Sequence, residues 1–130
     1  MTITYKPTKT LTIANGASLS DGITLGGRLG VIGFLSPAVV DGNPASPSGS
    51  TSLVIWGSVD GVSFFRIYDK TTQLPVLLPL GPAEARYLPI DPLFTAGCAK
   101  IAVEVVKEDT PTVGIVQSAA RSFTAVLYEV

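Results

Sequence analysis

Histidine is absent from this 130-residue chain, and cysteine occurs once, as Cys98. Those two facts remove the commonest general base and metal ligand, and with them every Ser–His or Cys–His nucleophile. Cys98 sits among Ala96, Gly97 and Ala99 and reads as a small buried hydrophobe. The run Gly26-Gly27-Arg28-Leu29-Gly30 lacks the spacing and following lysine of a phosphate-binding loop, so a bulge or strand bend is expected there. Ten acidic residues always offer carboxylate pairs, but none forms a distinctive local pattern for glycoside hydrolysis, and nothing singles out one of the five lysines. Asp60-Gly61 lacks the neighbouring oxygen ligands that calcium requires and is read as a turn. The reading is a non-enzyme with no cofactor and no metal. One further polar residue stands out: Arg121, after Ala119-Ala120, is a candidate for a buried pair with a carboxylate such as Asp60 or Asp91.

The elements around these residues read as strands. Ten prolines and thirteen glycines interrupt the chain at short intervals and leave little room for an amphipathic helix. Thr10 to Ile13 alternates, Asn15-Gly16 turns, and Ile23 to Leu25 alternates again. Leu29 to Leu35 is an apolar run limited by Pro37, and residues 41–50 form a Pro/Ser/Gly-rich surface loop. Ser52 to Val59 and Val62 to Asp69 flank Asp60-Gly61 as a hairpin. A two-residue turn puts Trp56 opposite Phe65 and Val54 opposite Ile67, with Leu53, Ile55, Phe64 and Tyr68 on the other face. Both faces are apolar, so a loop, an arm or a neighbouring subunit must cover the second one. Leu74 to Leu80 and Arg86 to Ile90 are proline-bounded and read as edge or irregular strands. Lys100 to Val105 alternates as a half-buried strand. A charged turn follows at 107–111, then an apolar piece at 113–116 and a helical turn or a bend at 117–121. The closing strand, 123–130, carries Phe123, Ala125 and Leu127 on one side. Tyr5, Phe34, Phe94 and Tyr128 are core or interface aromatics.

These elements predict one domain: an all-β, antiparallel β-sandwich, jelly-roll-like, with eight or nine short strands over 10–130 and an extended N-terminal arm over 1–9. Hydrophobic residues make up 46% of the chain and charged residues 15%, against about 25% charged in ordinary domains. Mean hydropathy is +0.44, yet no apolar run reaches the ~18 residues of a membrane span. The surplus apolar residues point to protein–protein contact and to strands buried on both faces. A net charge of −1 without a Lys/Arg cluster argues against nucleic acid, and the opening residues lack the apolar stretch of a secretory signal. The arm is suited to pairing with a partner's sheet edge.

Three segments carry a resemblance. Ile13-Ala-Asn-Gly-Ala-Ser-Leu-Ser-Asp-Gly-Ile-Thr-Leu-Gly-Gly27, Ser58-Val-Asp-Gly-Val-Ser-Phe64 and Val116-Gln-Ser-Ala-Ala-Arg-Ser-Phe123 resemble, in order and spacing, small virion proteins of tailed bacteriophages. Leu35-Ser36-Pro37 resembles the proline-containing stretch those proteins carry before the central hairpin, while the loop after it differs. The resemblance implies a capsid decoration (cement) protein, made in the host cytoplasm and placed on the virion surface. Its implied partners are the major capsid protein and copies of itself, as a trimer or dimer, with no nucleic acid and no membrane. No catalytic residue comes with it. Candidate partner contacts are Tyr5, Lys6 and Pro7 in the arm, with Pro44, Pro47, Pro79 and Pro82 in the proline-rich segments. The competing expectation is an adhesion or carbohydrate-binding module of a tail fibre or spike, or another head or tail component.

Overall fold

The computed structural model describes residues 7–26, 29–42, 51–80 and 84–129. Ten strands are present among them: β1 (Thr8–Ile13), β2 (Ile23–Thr24), β3 (Leu29–Leu35), β4 (Thr51–Ser58), β5 (Phe65–Arg66), β6 (Leu77–Pro79), β7 (Tyr87–Pro89), β8 (Lys100–Lys107), β9 (Thr110–Gly114) and β10 (Arg121–Glu129). A single 3₁₀ turn, Pro92–Phe94, precedes β8. The Asp91 carboxylate caps it by accepting from Leu93 N at 3.0 Å.

The strands form two antiparallel sheets. One has the order β1-β10-β3-β7; the other has β2-β8-β4-β5, with β6 also paired to β4 and β9 to β8. Setting β6 and β9 aside, the remaining eight strands follow the jelly-roll order of two Greek keys, each successive strand changing sheet except at the β4–β5 hairpin. β6 lies within the strand expected over 74–80, whereas β9 begins inside the segment expected as a charged turn, 107–111. The sandwich begins at Thr8, which pairs with Val126, so the last two residues assigned to the arm belong to the sheet.

The core lies between the sheets. Leu11, Ile13, Val31, Phe34, Phe123, Ala125 and Leu127 come from the first sheet, and Leu53, Ile55, Ile101, Val103 and Val105 from the second; all are fully buried. Val31 and Phe34 both point inward although period two forbids it. The cause is a bulge: Val126 pairs with Gly33 but Leu127 pairs with Val31, and the extra residue, Ile32, switches the phase of β3.

Three expectations need correction. First, the β4–β5 hairpin exists in a shifted register: Trp56 pairs with Arg66 and Gly57 with Phe65. Asp60 Oδ1 accepts from Val62 N at 2.8 Å and Ser63 N at 2.9 Å, while Gly61 N donates to Ser58 Oγ at 2.8 Å. Side chains thus take the amides that a two-residue turn would give to the ladder. The one-residue slip turns Ile67, not Phe64, toward the core. Second, β8 is covered on both faces: Ala102, Glu104 and Val106 are buried as deeply as the core side. Third, Arg121 pairs with neither Asp60 nor Asp91. Its partner is Asp41, 2.7 Å from Nη2.

Candidate interaction surface

The hairpin's second face is covered by the chain itself. Val54 and Ser52 there are fully buried, and Trp56 lies under Arg66, whose guanidinium carbon is 4.4 Å from the ring centroid. Glu104, 7% exposed, collects this cluster. Its Oε1 accepts from Trp56 Nε1 at 3.1 Å and Arg66 Nη2 at 3.4 Å, and its Oε2 from Ser18 Oγ at 3.0 Å. Arg66 also donates to the Thr112 carbonyl. The cluster joins β4, β5, β8, β9 and the 14–20 turn, and within it the buried Arg66 Nε has no hydrogen-bond partner.

One exposed apolar surface lies at the hairpin's end. Val59, Val62 and Phe65 are 81%, 82% and 72% exposed. They flank a loop that is fixed internally. The Asp60 carboxylate takes the amides of Ser63 and Val62 and the Ser58 hydroxyl, which together hold its pKa below the usual carboxylate value. Gly61 sits at φ +83°, a left-handed conformation that favours glycine. Three apolar side chains are therefore presented on a loop whose only charge is already satisfied. Beside them runs an open groove of about 480 Å³, lined by Gly57, Val59, Phe65, Ile67 and Cys98 among others. Cys98 is half-buried rather than fully enclosed; burial raises its thiol pKa, partly offset by a hydrogen bond with the Ser58 backbone. A second exposed apolar group, Tyr68, Leu74 and Leu93, borders two smaller grooves that share Asp69, Asp91 and Phe94.

Of the contact residues named from the sequence, Tyr5, Lys6, Pro44, Pro47 and Pro82 lie outside the described residues. Pro7 is exposed at one end of the first sheet, where its carbonyl accepts from Leu127 N. Pro79 is exposed on β6 in the second sheet, opposite Ser52. The two belong to different sheets, not to one cluster. Val59, Val62, Phe65 and Leu93 were not anticipated as surface residues. The available signal was an apolar residue on each side of Asp60-Gly61, where a turn tip has no core to face.

The 13–26, 58–64 and 116–123 segments lie side by side. Gly16 N donates to the Gln117 carbonyl and Gln117 N to the Ala17 carbonyl, joining the first to the third; a Cβ on Gly22 of the first would lie 3.2 Å from Phe64 of the second. No protein-family model, curated protein or solved structure matches the chain. Among the described residues there is no group of three or more His, Cys, Asp or Glu placed to hold a metal, and no helix long and apolar enough to cross a membrane.

Proposed function

We propose that this protein is a virion structural protein of a tailed bacteriophage, a capsid decoration protein. It binds the outside of the major capsid shell as a homo-oligomer and bridges neighbouring subunits. The observation that carries the reading is the hairpin tip, where Val59, Val62 and Phe65 are held outward by a loop that spends its own polar groups internally. Fixing the loop in advance lowers the ordering cost of association. Apolar area buried on a partner contributes about 25 cal/mol per Å² before association costs, and a cement protein multiplies a modest gain over many copies. The jelly-roll order is compatible with this role, since viral capsid domains share it, but the same order serves lectins and other proteins.

The glycan-binding alternative gains little from Trp56, because Arg66 covers a face of the ring that a sugar would need. The test is to mix the purified protein with phage shells, sediment them, and image the decorated particles. Many copies at symmetric positions on the head are the expected result. A stable monomer that ignores shells, or a few copies at the tail, overturns the proposal.

A further inference from the structure

We infer that Asn15 is a deamidation site and that the hydrogen bond from Gly16 N to the Gln117 carbonyl gates the reaction. In an Asn-Gly pair the glycine nitrogen, after losing its proton, attacks the asparagine Cγ. An N–Cγ bond forms, the Cγ–Nδ2 bond breaks, and ammonia leaves. Water then opens the cyclic imide at either carbonyl to give aspartate or isoaspartate. No oxidant, metal or enzyme is needed.

The site meets the local requirements. Asn15 is exposed at the tip of a turn closed by Ala17 N donating to the Ala14 carbonyl at 3.0 Å. Gly16 has φ +85°, and a Cβ placed on it would meet no atom within 4 Å, so no neighbouring side chain crowds the turn. The chain's other Asx-Gly pairs with described geometry, at Asp21, Asp41 and Asp60, present carboxylates, which are poor electrophiles when ionised.

The fold withholds the nucleophile. Gly16 N donates to the Gln117 carbonyl at 2.8 Å, which keeps the proton in place. Gln117 is itself immobilised. It is fully buried, its Oε1 accepts from Asp41 N at 2.8 Å, and its Nε2 donates to the Ile115 carbonyl at 3.1 Å. Reaction in the native protein therefore requires local opening of the 14–17 turn from the 115–118 segment. The product adds one negative charge to a chain of net charge −1. Isoaspartate also lengthens the backbone within the turn and displaces Gly16 N from its acceptor.

Peptide mapping by mass spectrometry tests this, on the full chain held in mildly alkaline buffer. Deamidation at Asn15 is expected to be about tenfold or more slower in the folded protein than in the urea-unfolded chain. It should rise with sub-denaturing urea while the far-UV CD stays native. Gln117→Ala, where it folds, should raise the native rate, and Asn15→Ser should abolish the signal. Equal rates in folded and unfolded protein, or a native rate indifferent to sub-denaturing urea, overturn the gate. An unfolded chain that leaves Asn15 intact overturns the site.

Discussion

Arg121, at the start of β10, places Nη2 2.7 Å from Oδ1 of Asp41, eighty residues earlier in the chain. The pair closes the corner where the chain leaves β3, and it is reinforced by Ser118, whose amide and hydroxyl donate to the same carboxylate at 2.9 and 3.2 Å. Arg121 first, then Ser118, hold the Asp41 carboxyl below its ordinary pKa.

A folded-state pKa below the unfolded value adds stability above the unfolded pKa, and that stability is lost as pH falls through the folded one. Asp41→Asn should therefore cost about 1 kcal/mol near neutral pH, the side chains being partly solvent-screened. The difference from wild type should shrink under acid conditions that protonate Asp41. Urea unfolding at neutral and acid pH measures both; a penalty unchanged in acid contradicts the ion-pair account.

Glu104 is the sole carboxylate within a cluster of three donors. Glu104→Ala leaves the Trp56 indole, the Ser18 hydroxyl and the Arg66 guanidinium without that acceptor. The expected loss is about 2–3 kcal/mol, with a change in Trp56 fluorescence as its surroundings loosen. A loss comparable to an ordinary surface substitution would show that the cluster adds little.

Gly57 lies against Cys98. A Cβ there would stand 2.8 Å from Sγ and 3.2 Å from Ile67 Cδ1. Gly57→Ala should cost about 1–3 kcal/mol by overpacking. Adding Cys98→Ala, which removes the sulfur, should recover part of that loss, whereas independent effects would simply sum. Thermal unfolding of the two single variants and the double variant decides between them.

Val59→Ser with Val62→Ser alters residues that touch little of the fold. Stability should move by less than about 0.5 kcal/mol per site, while sedimentation with phage shells should weaken clearly. Undiminished binding would move the contact surface elsewhere, with Tyr68, Leu74 and Leu93 the next candidates.

Burial raises the Cys98 thiol pKa, so less thiolate is present at neutral pH. Alkylation of the folded protein should be slower than that of the urea-unfolded chain. Equal rates would place the sulfur in open solvent.

Local sequence was enough to determine the class of fold. Proline and glycine spacing excluded helices, and alternation located the inward residues of β1, β8 and β10, because a strand's side chains point alternately whatever it pairs with. The edge position of β7 followed from its prolines, which cannot complete a ladder. Tertiary structure decided what depends on competition between partners. Asp60 and Ser58 took amides from the hairpin ladder and moved its register by one residue, placing Arg66 over Trp56 and Ile67 against the core. The β3 bulge put Phe34 inside against the alternation. Arg121 found Asp41 because the jelly-roll path brings the end of β3 beside the start of β10, a proximity that no spacing along the chain encodes. The exposure of Val59, Val62 and Phe65 has the same origin: apolar residues are patterned locally, but the surface left uncovered depends on where every other element has packed.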